Sequence, residues 1–483
     1  MKLKEILNNI SYECVQGSLD LQIEAITYDS RVKTKDGLFI CIEGYTVDGH
    51  NYIKPAIENG ARAIIIQKDI NIDIAEDITI IKVEDTRSSM ATISSNYYKH
   101  PSKDLKLVGI TGTNGKTTTA HLIAWILESV SNKIGIIGTI ENRIGSQVIK
   151  AEHTTPESLD LQRILSMMKA EDVSHAVMEV SSHALELDRV KGTEYKVGVF
   201  TNLSQDHLDF HKTLDNYLDA KTKLFTMCEK GVINIDDPSS AKILDMEGFE
   251  SYTFGIDKDA DFKGENIEIT DKGVNFDLIM GTSKYPVFMP IPGKFSVYNA
   301  LAAIASTYLM GIRLEDAIST LSNVPGVPGR VQRISSHKGF SVIVDYAHTP
   351  DGLENVLKTV NEFTKSKVIT VFGCGGDRDK SKRPIMGQVA GKYSDYTIIT
   401  SDNPRSEDPE SILKDIEEGI KESDWEYEKI IDREMAIKAA IKMAQKGDVI
   451  VIAGKGHEDY QILKDRIIHF DDVEIVNKYL QEV

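Results

Sequence analysis

The sequence predicts an α/β protein of three domains, and three observations carry that prediction. A chain of 483 residues exceeds what one hydrophobic core organises, and its length corresponds to about three domains. From Leu107 onward, short apolar runs alternate with helical patterns, as in a parallel sheet covered on both faces. The alternation is interrupted by Pro325, Gly326, Pro328 and Gly329 and then restarts, marking a boundary between two such sheets.

The first domain, residues 1–102, mixes short helices with β-rich runs at 37–42 (GLFICI) and 61–67 (ARAIIIQ). The polar stretch 98–106, which contains Pro101, reads as a linker. In the second domain, 103–330, strands are predicted at 107–110, 133–138, 175–180, 197–200 and 231–235. Its region 251–291 alternates apolar and polar residues more tightly, predicting an antiparallel annex. The third domain, 331–483, has strand candidates at 341–345, 367–373, 396–400 and 448–454, each running into a loop rich in Gly, Asp or Asn. Ligands of open α/β sheets bind beyond the carboxyl ends of strands, so this domain is expected to carry a Rossmann-like binding face of its own.

Composition excludes several classes. Apolar content of 41% and charged content of 27% are ordinary for a globular chain, and no run of 18 apolar residues is present to span a bilayer. The opening residues, MKLKEILNNI, lack a secretory apolar block, which predicts a cytoplasmic protein. A net charge of −18 argues against nucleic acid as a partner. Cys14, Cys41, Cys228 and Cys374 are scattered without metal spacing and read as reduced thiols.

The stretch 107–120, LVGITGTNGKTTTA, passes from an apolar strand through glycines into a helix start. Gly112, Thr113, Asn114 and Gly115 would close backbone N–H groups on phosphates at the positive end of the helix. Lys116 would reach the β- and γ-phosphates, and the hydroxyls of Thr117 and Thr118 follow, Thr117 suited to Mg²⁺. The loop is a variant, because Ile110 stands where the common pattern has its first glycine. A kinase, a switch and a motor share such a loop, so it identifies a nucleotide site and no more. Glu179, at the end of the run 175–180, and His207, in the loop 201–211, are Mg²⁺ candidates; a lone loop histidine serves equally well as a solvated or capping residue. Lys221 lies in an amphipathic stretch, where pattern alone reads it as a solvated charge. Asp345, at a strand end, also suits a turn.

The strings GITGTNGKTTT, HTTPES, MEVSSHALELDRV, NLSQDHLDFH, DYAHTPD, GCGGDRDKSKRP, SDNPR and AGKGHEDYQ, in this order along the whole chain, resemble the ATP-dependent Mur ligases of peptidoglycan synthesis. Within that family they are similar to the branch that adds meso-2,6-diaminopimelate to UDP-N-acetylmuramoyl-L-alanyl-D-glutamate. The resemblance implies a UDP-binding domain, an ATPase domain and a C-terminal Rossmann-like domain, with ATP as co-substrate and Mg²⁺ as cofactor. It implies phosphorylation of the D-glutamate carboxylate to an acyl phosphate, attack by the incoming amine, and loss of phosphate. Lys116, Glu179, His207 and Lys221 become the catalytic set, with Thr117, Glu179, His207 and a carbamylated Lys221 around the metal.

By the same resemblance, Asn299, Arg330, Asp345, Tyr346 and His348 join residues 112–118 around ATP. The UDP-linked substrate is expected at Ser30, within YDSR, near residues 44–50, and at Thr154, Thr155, Ser182 and Arg189. His153 departs from the family pattern, which has Asn before Thr-Thr-Pro. Asp402, Asn403, Pro404 and Arg405, with Arg378, Gly454 and Glu458, are expected to bind diaminopimelate. Diaminopimelate is lysine with one more carboxylate, which a guanidinium pairs bidentately, whereas lysine would bring an ammonium against Arg405. Rival acceptors within the same class are lysine, D-Ala-D-Ala and glutamate on folate. The expected partners are small molecules, with no nucleic acid and no membrane span, and the expected state is a monomer that closes its domains around its substrates.

Overall fold

A computed structural model of the protein describes residues 1–44, 47–71, 73–130 and 133–482, so Tyr45 and Thr46 of the 44–50 stretch lie outside the described residues. The architecture is α/β, and the chain divides into two compact units, Met1–Phe262 with Ala302–Ala317 and Lys263–Leu301 with Ile318–Val483.

The first unit contains two sheets. In the N-terminal one the strands run in the order Tyr12–Gln16, Thr79–Val83, Ala61–Ile66, Gly37–Ile40, Ala25–Thr27. The first pair is antiparallel and the rest are parallel. Successive side chains of a strand face opposite ways. Leu38, Ile40, Ala63 and Ile65 therefore fill one core, while Phe39, Ile64 and Ile66 fill another. Cys14 is exposed on the edge strand of this sheet, whereas Cys41, Cys228 and Cys374 are buried.

The second sheet runs Glu250–Gly255, Cys228–Asn234, Tyr195–Phe200, Lys106–Thr111, His175–Glu179, Ile134–Ile137, Asn142–Ile144, Gln147–Ile149. It is parallel through Ile134–Ile137 and antiparallel beyond. Its inner strands are buried on both faces, which is why they read as continuous apolar runs.

Two expectations are corrected. The 98–106 stretch is a packed turn and not a tether: Pro101–Asp104 forms a 3₁₀ turn, Pro101 and Ser102 are buried, and Ser102 Oγ accepts from Glu194 N at 3.1 Å. Asp104 also pairs with Lys169 at 2.6 Å. The region 251–291 is antiparallel only in part. Glu250–Gly255 lies parallel to Cys228–Asn234, and Phe262–Thr270, Gly273–Met280 and Ser283–Met289 form the antiparallel meander. Alternation reveals a strand but not its direction.

In the second unit the C-terminal sheet runs Gln332–Ser335, Ser341–Asp345, Val449–Ala453, Val368–Phe372, Tyr396–Ile399, Tyr427–Lys429, with the first pair antiparallel. Ile343, Val451, Phe372 and Ile399 face one core, and Val342, Val344, Ile450, Ile452 and Val371 face the other. Flanking helices start where the turn chemistry directs. Thr349 caps Pro350–Phe363, Asp408 caps Pro409–Ile420, and both helices have proline in the first turn. No described helix is long and apolar enough to cross a membrane.

The end of the central strand Val449–Ala453 is held by a buried ion pair. Arg433 donates to both carboxylate oxygens of Asp472, at 2.8 and 2.7 Å, and to the Ala453 carbonyl at 3.1 Å, and both side chains are fully buried. Removing one partner strands a charge in the core. Asp472→Ala is expected to cost about 3–5 kcal/mol in chemical denaturation, and the paired apolar replacement Arg433→Met with Asp472→Leu is expected to recover most of that loss.

Candidate active site

The strand Lys106–Thr111 lies between His175–Glu179 and Tyr195–Phe200, so strand order reverses beside it, the place where open sheets bind ligands. Residues 112–115 leave its carboxyl end and enter the helix Lys116–Val130. Gly112 has φ +147°, and a Cβ there would lie 1.9 Å from Thr201 Oγ1. The loop is braced from the neighbouring strand end: Thr113 N donates to Asn202 O at 2.8 Å, Asn114 N to Asn202 Oδ1 at 2.9 Å, and Thr201 Oγ1 to Asn114 O at 2.7 Å. Ile110 is fully buried in the strand, paired with Glu179 and Val199, so the turn begins two residues later than in the common pattern. Lys116 Nζ folds over the loop and donates to the carbonyls of Gly112 at 3.0 Å and Thr113 at 2.9 Å. Thr118 is buried in the first turn of the helix.

Glu179 is 1% exposed at the end of its strand, and its carboxylate is surrounded by donors. Thr117 Oγ1 donates to Oε2 at 2.8 Å, Thr139 Oγ1 to Oε2 at 3.1 Å, and Thr139 N to Oε1 at 2.8 Å. Thr117 and Glu179 thus form one oxygen-rich patch beside the loop, a donor set that suits a hard dication. Among the described residues, no group of three or more His, Cys, Asp or Glu is arranged to hold a metal. Mg²⁺ needs no such cage, since it keeps water and takes few protein ligands alongside phosphates.

The reading of Lys221 as a solvated charge is corrected. The helix Leu214–Thr222, capped by Thr213, turns this side chain inward until it is 1% exposed. Its Nζ donates to the Gly112 carbonyl at 2.8 Å and sits 4.2 Å from the centre of the Tyr217 ring. Burial, reinforced by the charge of Lys116, pushes the Lys221 amine well below the usual lysine range. His207, in a left-handed conformation at φ +52°, is half-exposed, with Nε2 3.5 Å from Asp206 Oδ2. Burial lowers its affinity for a proton, Asp206 opposes the shift, and Lys116 and Lys221 add to it. Its ring stacks edge-on to His183 at 4.7 Å, and burial followed by the His207 and His211 neighbours brings His183 down to about 4.

The substrate candidates of this unit are drawn together unevenly. Thr155 is buried; its hydroxyl donates to the Glu179 carbonyl at 2.9 Å and accepts from Ser181 N at 3.0 Å. Thr154 Oγ1 lies 3.1 Å from Thr139 Oγ1. Arg189 pairs with Glu157 at 2.9 Å and donates to Thr155 O at 3.3 Å. Ser182 is buried, with its hydroxyl 3.0 Å from His211 Nε2. Ser30 is partly buried, and its carbonyl accepts from Asn59 Nδ2 at 2.8 Å. A cleft of about 420 Å³ has Tyr28, Glu152, His153, Glu157, Asp160 and Arg163 in its walls. There Tyr28 donates to Asp160 at 2.6 Å, a link that pattern-reading missed, as it missed Thr139 and Tyr217. The neighbouring motifs were the only signal for any of the three.

In the second unit, the loops after Val368–Phe372, Tyr396–Ile399 and Val449–Ala453 carry the acceptor candidates. Asp402 is buried; its Oδ1 accepts from Asn403 N at 2.6 Å, while its Oδ2 is buried without a hydrogen bond. Gly454, at φ +118°, leaves room for that oxygen, since a Cβ would come within 2.7 Å of it. Asn403 Nδ2 donates to Glu458 at 2.8 Å, and Asn403 Oδ1 accepts from Ile462 N at 2.9 Å. Lys455, fully buried and absent from the sequence-based set, reaches Glu458 at 3.2 Å. Pro404 is buried, and a Gly376 Cβ would lie 1.9 Å from its carbonyl oxygen. Arg405, at φ +53°, donates to the Gly376 carbonyl at 2.9 Å, and Arg378 is exposed on the adjoining loop. Asp345 does turn work: Oδ2 accepts from Val331 N at 2.7 Å and Oδ1 from Ala347 N at 2.8 Å, while burial pushes its carboxyl upward. Arg330 stacks 4.9 Å from the Tyr346 ring, His348 Nδ1 lies 2.8 Å from the Tyr346 carbonyl, and Asn299 is buried in the helix Lys294–Leu309.

Comparisons with known proteins place the chain in a family. Three family models match: the Mur ligase family catalytic domain over residues 22–98, the Mur ligase middle domain over 110–307, and the Mur ligase glutamate ligase domain over 329–456. The chain is 50% identical over 487 residues to the UDP-N-acetylmuramoyl-L-alanyl-D-glutamate–2,6-diaminopimelate ligase of Clostridium botulinum, covering 100% of both chains. It is 49% identical over 489 residues to the enzyme of that name from Clostridioides difficile, again covering 100% of both. A solved structure of a ligase with the same name aligns at 33% identity and TM-score 0.73, covering 100% of this chain and 99% of that one. The MurF ligase of Thermotoga maritima, solved with ADP, shares the fold at 18% identity and TM-score 0.65, covering 96% and 99%. With its motifs, its sheets and its full-length relatives in agreement, this chain belongs to the Mur ligase family.

Proposed function

We propose that the protein is an ATP-dependent ligase that joins meso-2,6-diaminopimelate to UDP-N-acetylmuramoyl-L-alanyl-D-glutamate in peptidoglycan synthesis. The observation that carries this is that relatives 47–50% identical over the full length of both chains bear that activity in their names. In this reading, residues 1–102 take the UDP-linked substrate, 103–330 the ATP and 331–483 the amino acid.

A carboxylate is a poor electrophile, and phosphorylation supplies a leaving group. The γ-phosphoryl group of ATP passes to the D-glutamate carboxylate, giving an acyl phosphate and ADP. The acceptor amine then attacks the acyl carbon, and the tetrahedral adduct expels phosphate and releases a proton as the amide forms. Lys116 and the N-terminus of its helix hold the phosphates, and the bracing of Gly112 and Asn114 supports that role. Thr117 and Glu179 would hold Mg²⁺, assisted by His207; when bound, it neutralises phosphate charge. The depressed basicity of Lys221 favours the neutral amine, the form that adds CO₂ to give a carbamate and a proton. A carbamate there would exchange a buried cation for oxygen ligands close to Lys116. Arg405 and Arg378 suit the carboxylates of diaminopimelate, and Glu458 and the unpartnered oxygen of Asp402 suit its ammonium groups.

The direct test supplies the purified chain with Mg²⁺, ATP, the UDP-linked dipeptide and competing acceptors, and identifies the product by mass spectrometry. The expected product is the diaminopimelate tripeptide. Predominant lysine incorporation would overturn the acceptor assignment, and phosphate release at the same rate without the other substrates would favour a nucleotide switch. Lys221→Ala is expected to lower turnover on the order of 100-fold, with partial rescue by added short carboxylates; full turnover in the variant would rule out the carbamate. Arg405→Ala is expected to raise KM for diaminopimelate about ten-fold or more while KM for ATP stays nearly constant, and equal changes in both would count against its role.

A further inference from the structure

We propose that Thr139 is a positioning residue that couples nucleotide binding to UDP-substrate binding through a one-directional hydrogen-bond chain, an inference that rests on the function proposed above. Thr139 follows the strand Ile134–Ile137, lies outside every motif, and touches both sets of candidate residues. The polarity of the chain follows from donor counting. A carboxylate accepts and cannot donate, so the hydroxyls of Thr117, at 2.8 Å, and Thr139, at 3.1 Å, both give their protons to Glu179 Oε2. With its single proton committed, Thr139 Oγ1 can only accept from Thr154 Oγ1, 3.1 Å away. Thr154 then offers lone pairs alone to whatever it meets next, which fits an N–H or O–H of the ligand and not a carboxylate.

A second tie makes the link stiff. Thr139 N donates to the other oxygen of Glu179 at 2.8 Å, and Thr155 Oγ1 donates to the Glu179 carbonyl at 2.9 Å. Glu179 is therefore tied to the HTTPES loop directly through its main chain and, by way of Thr139, through its side chain. Gly138 permits this approach, because a Cβ there would sit 2.5 Å from Glu179 Oε1. Hydrogen bonds linked in a chain polarise one another, so a change in charge around Glu179 alters, through Thr139, the hydroxyl that Thr154 presents. Coupling of this kind is reciprocal between the two ligands. A residue that merely shaped the turn would weaken both ligands alike, or neither, and leave their coupling intact.

Calorimetric titration of the full chain with the UDP-linked dipeptide, in Mg²⁺ and with or without a non-hydrolysable ATP analogue, reads the coupling directly. In the unaltered protein the nucleotide is expected to tighten the dipeptide substrate by about five-fold or more, and the substrate to tighten the nucleotide by the same factor. Thr139→Val keeps the side-chain shape and the backbone N–H and is expected to bring that factor close to one, while Thr139→Ser retains it. Thr154→Val, which removes the far end of the chain, is expected to lose the factor equally and provides the test if Thr139→Val does not fold. Valine variants that keep the full factor would overturn the inference, as would two ligands that bind the unaltered protein independently. Failure of either ligand to bind the unaltered protein would instead sink the function on which the inference rests.

Discussion

The carbonyl oxygen of Gly112 accepts from two lysine amino groups, Lys116 at 3.0 Å and Lys221 at 2.8 Å, and the arrangement of the first unit serves that meeting. Burial strips water from the Lys221 amine, the charge of Lys116 adds to the effect, and Lys221 holds its proton less tightly as a result. The carbonyl can point at both only because Gly112 adopts a backbone conformation closed to other residues and lies against Thr201. Thr201 follows the strand Tyr195–Phe200, Lys116 opens the helix that follows the loop, and Lys221 arrives from the helix Leu214–Thr222. Three separate elements converge on a single peptide group, and that convergence fixes the Lys116 side chain where an anionic ligand would be met.

Much of this was legible in the chain because parallel strands buried on both faces read as unbroken apolar runs. The strand cores at 107–110, 134–137 and 449–452 are visible on that ground alone, and glycines with Lys116 mark the loop that follows the first of them. Glu179 is legible because it closes such a run. Lys221 is not, because an amphipathic stripe does not say which polar residue has been turned inward. The same limit explains the 98–106 stretch: its polar residues look solvated until Ser102 is seen satisfying the backbone of Glu194. Contacts such as Tyr28 with Asp160 join residues 132 positions apart, and no local pattern encodes them.

The second unit repeats the logic with different chemistry. Glu407 accepts from both terminal nitrogens of the fully buried Arg383 and from Asp377 N, and Arg383 holds the Glu407 carboxyl down to about 2. Arg383 also donates to the Gly375 carbonyl at 3.2 Å. This clamp presses the loop that carries Arg378 against the one that carries Arg405, and Gly376 makes the contact close enough for the Arg405 guanidinium to cap a main-chain oxygen. Residues that face a ligand are conspicuous as motifs; those that set the spacing between loops look like ordinary surface charges in the sequence.

The distribution of thiols has a practical consequence. Cys41, Cys228 and Cys374 are sealed in the interior, where burial pushes each sulfhydryl upward and away from the reactive thiolate. Cys14 alone faces solvent, on the edge strand Tyr12–Gln16. The unmodified chain therefore carries its own single attachment point for a fluorophore or spin label, on the N-terminal sheet and outside every loop assigned to chemistry.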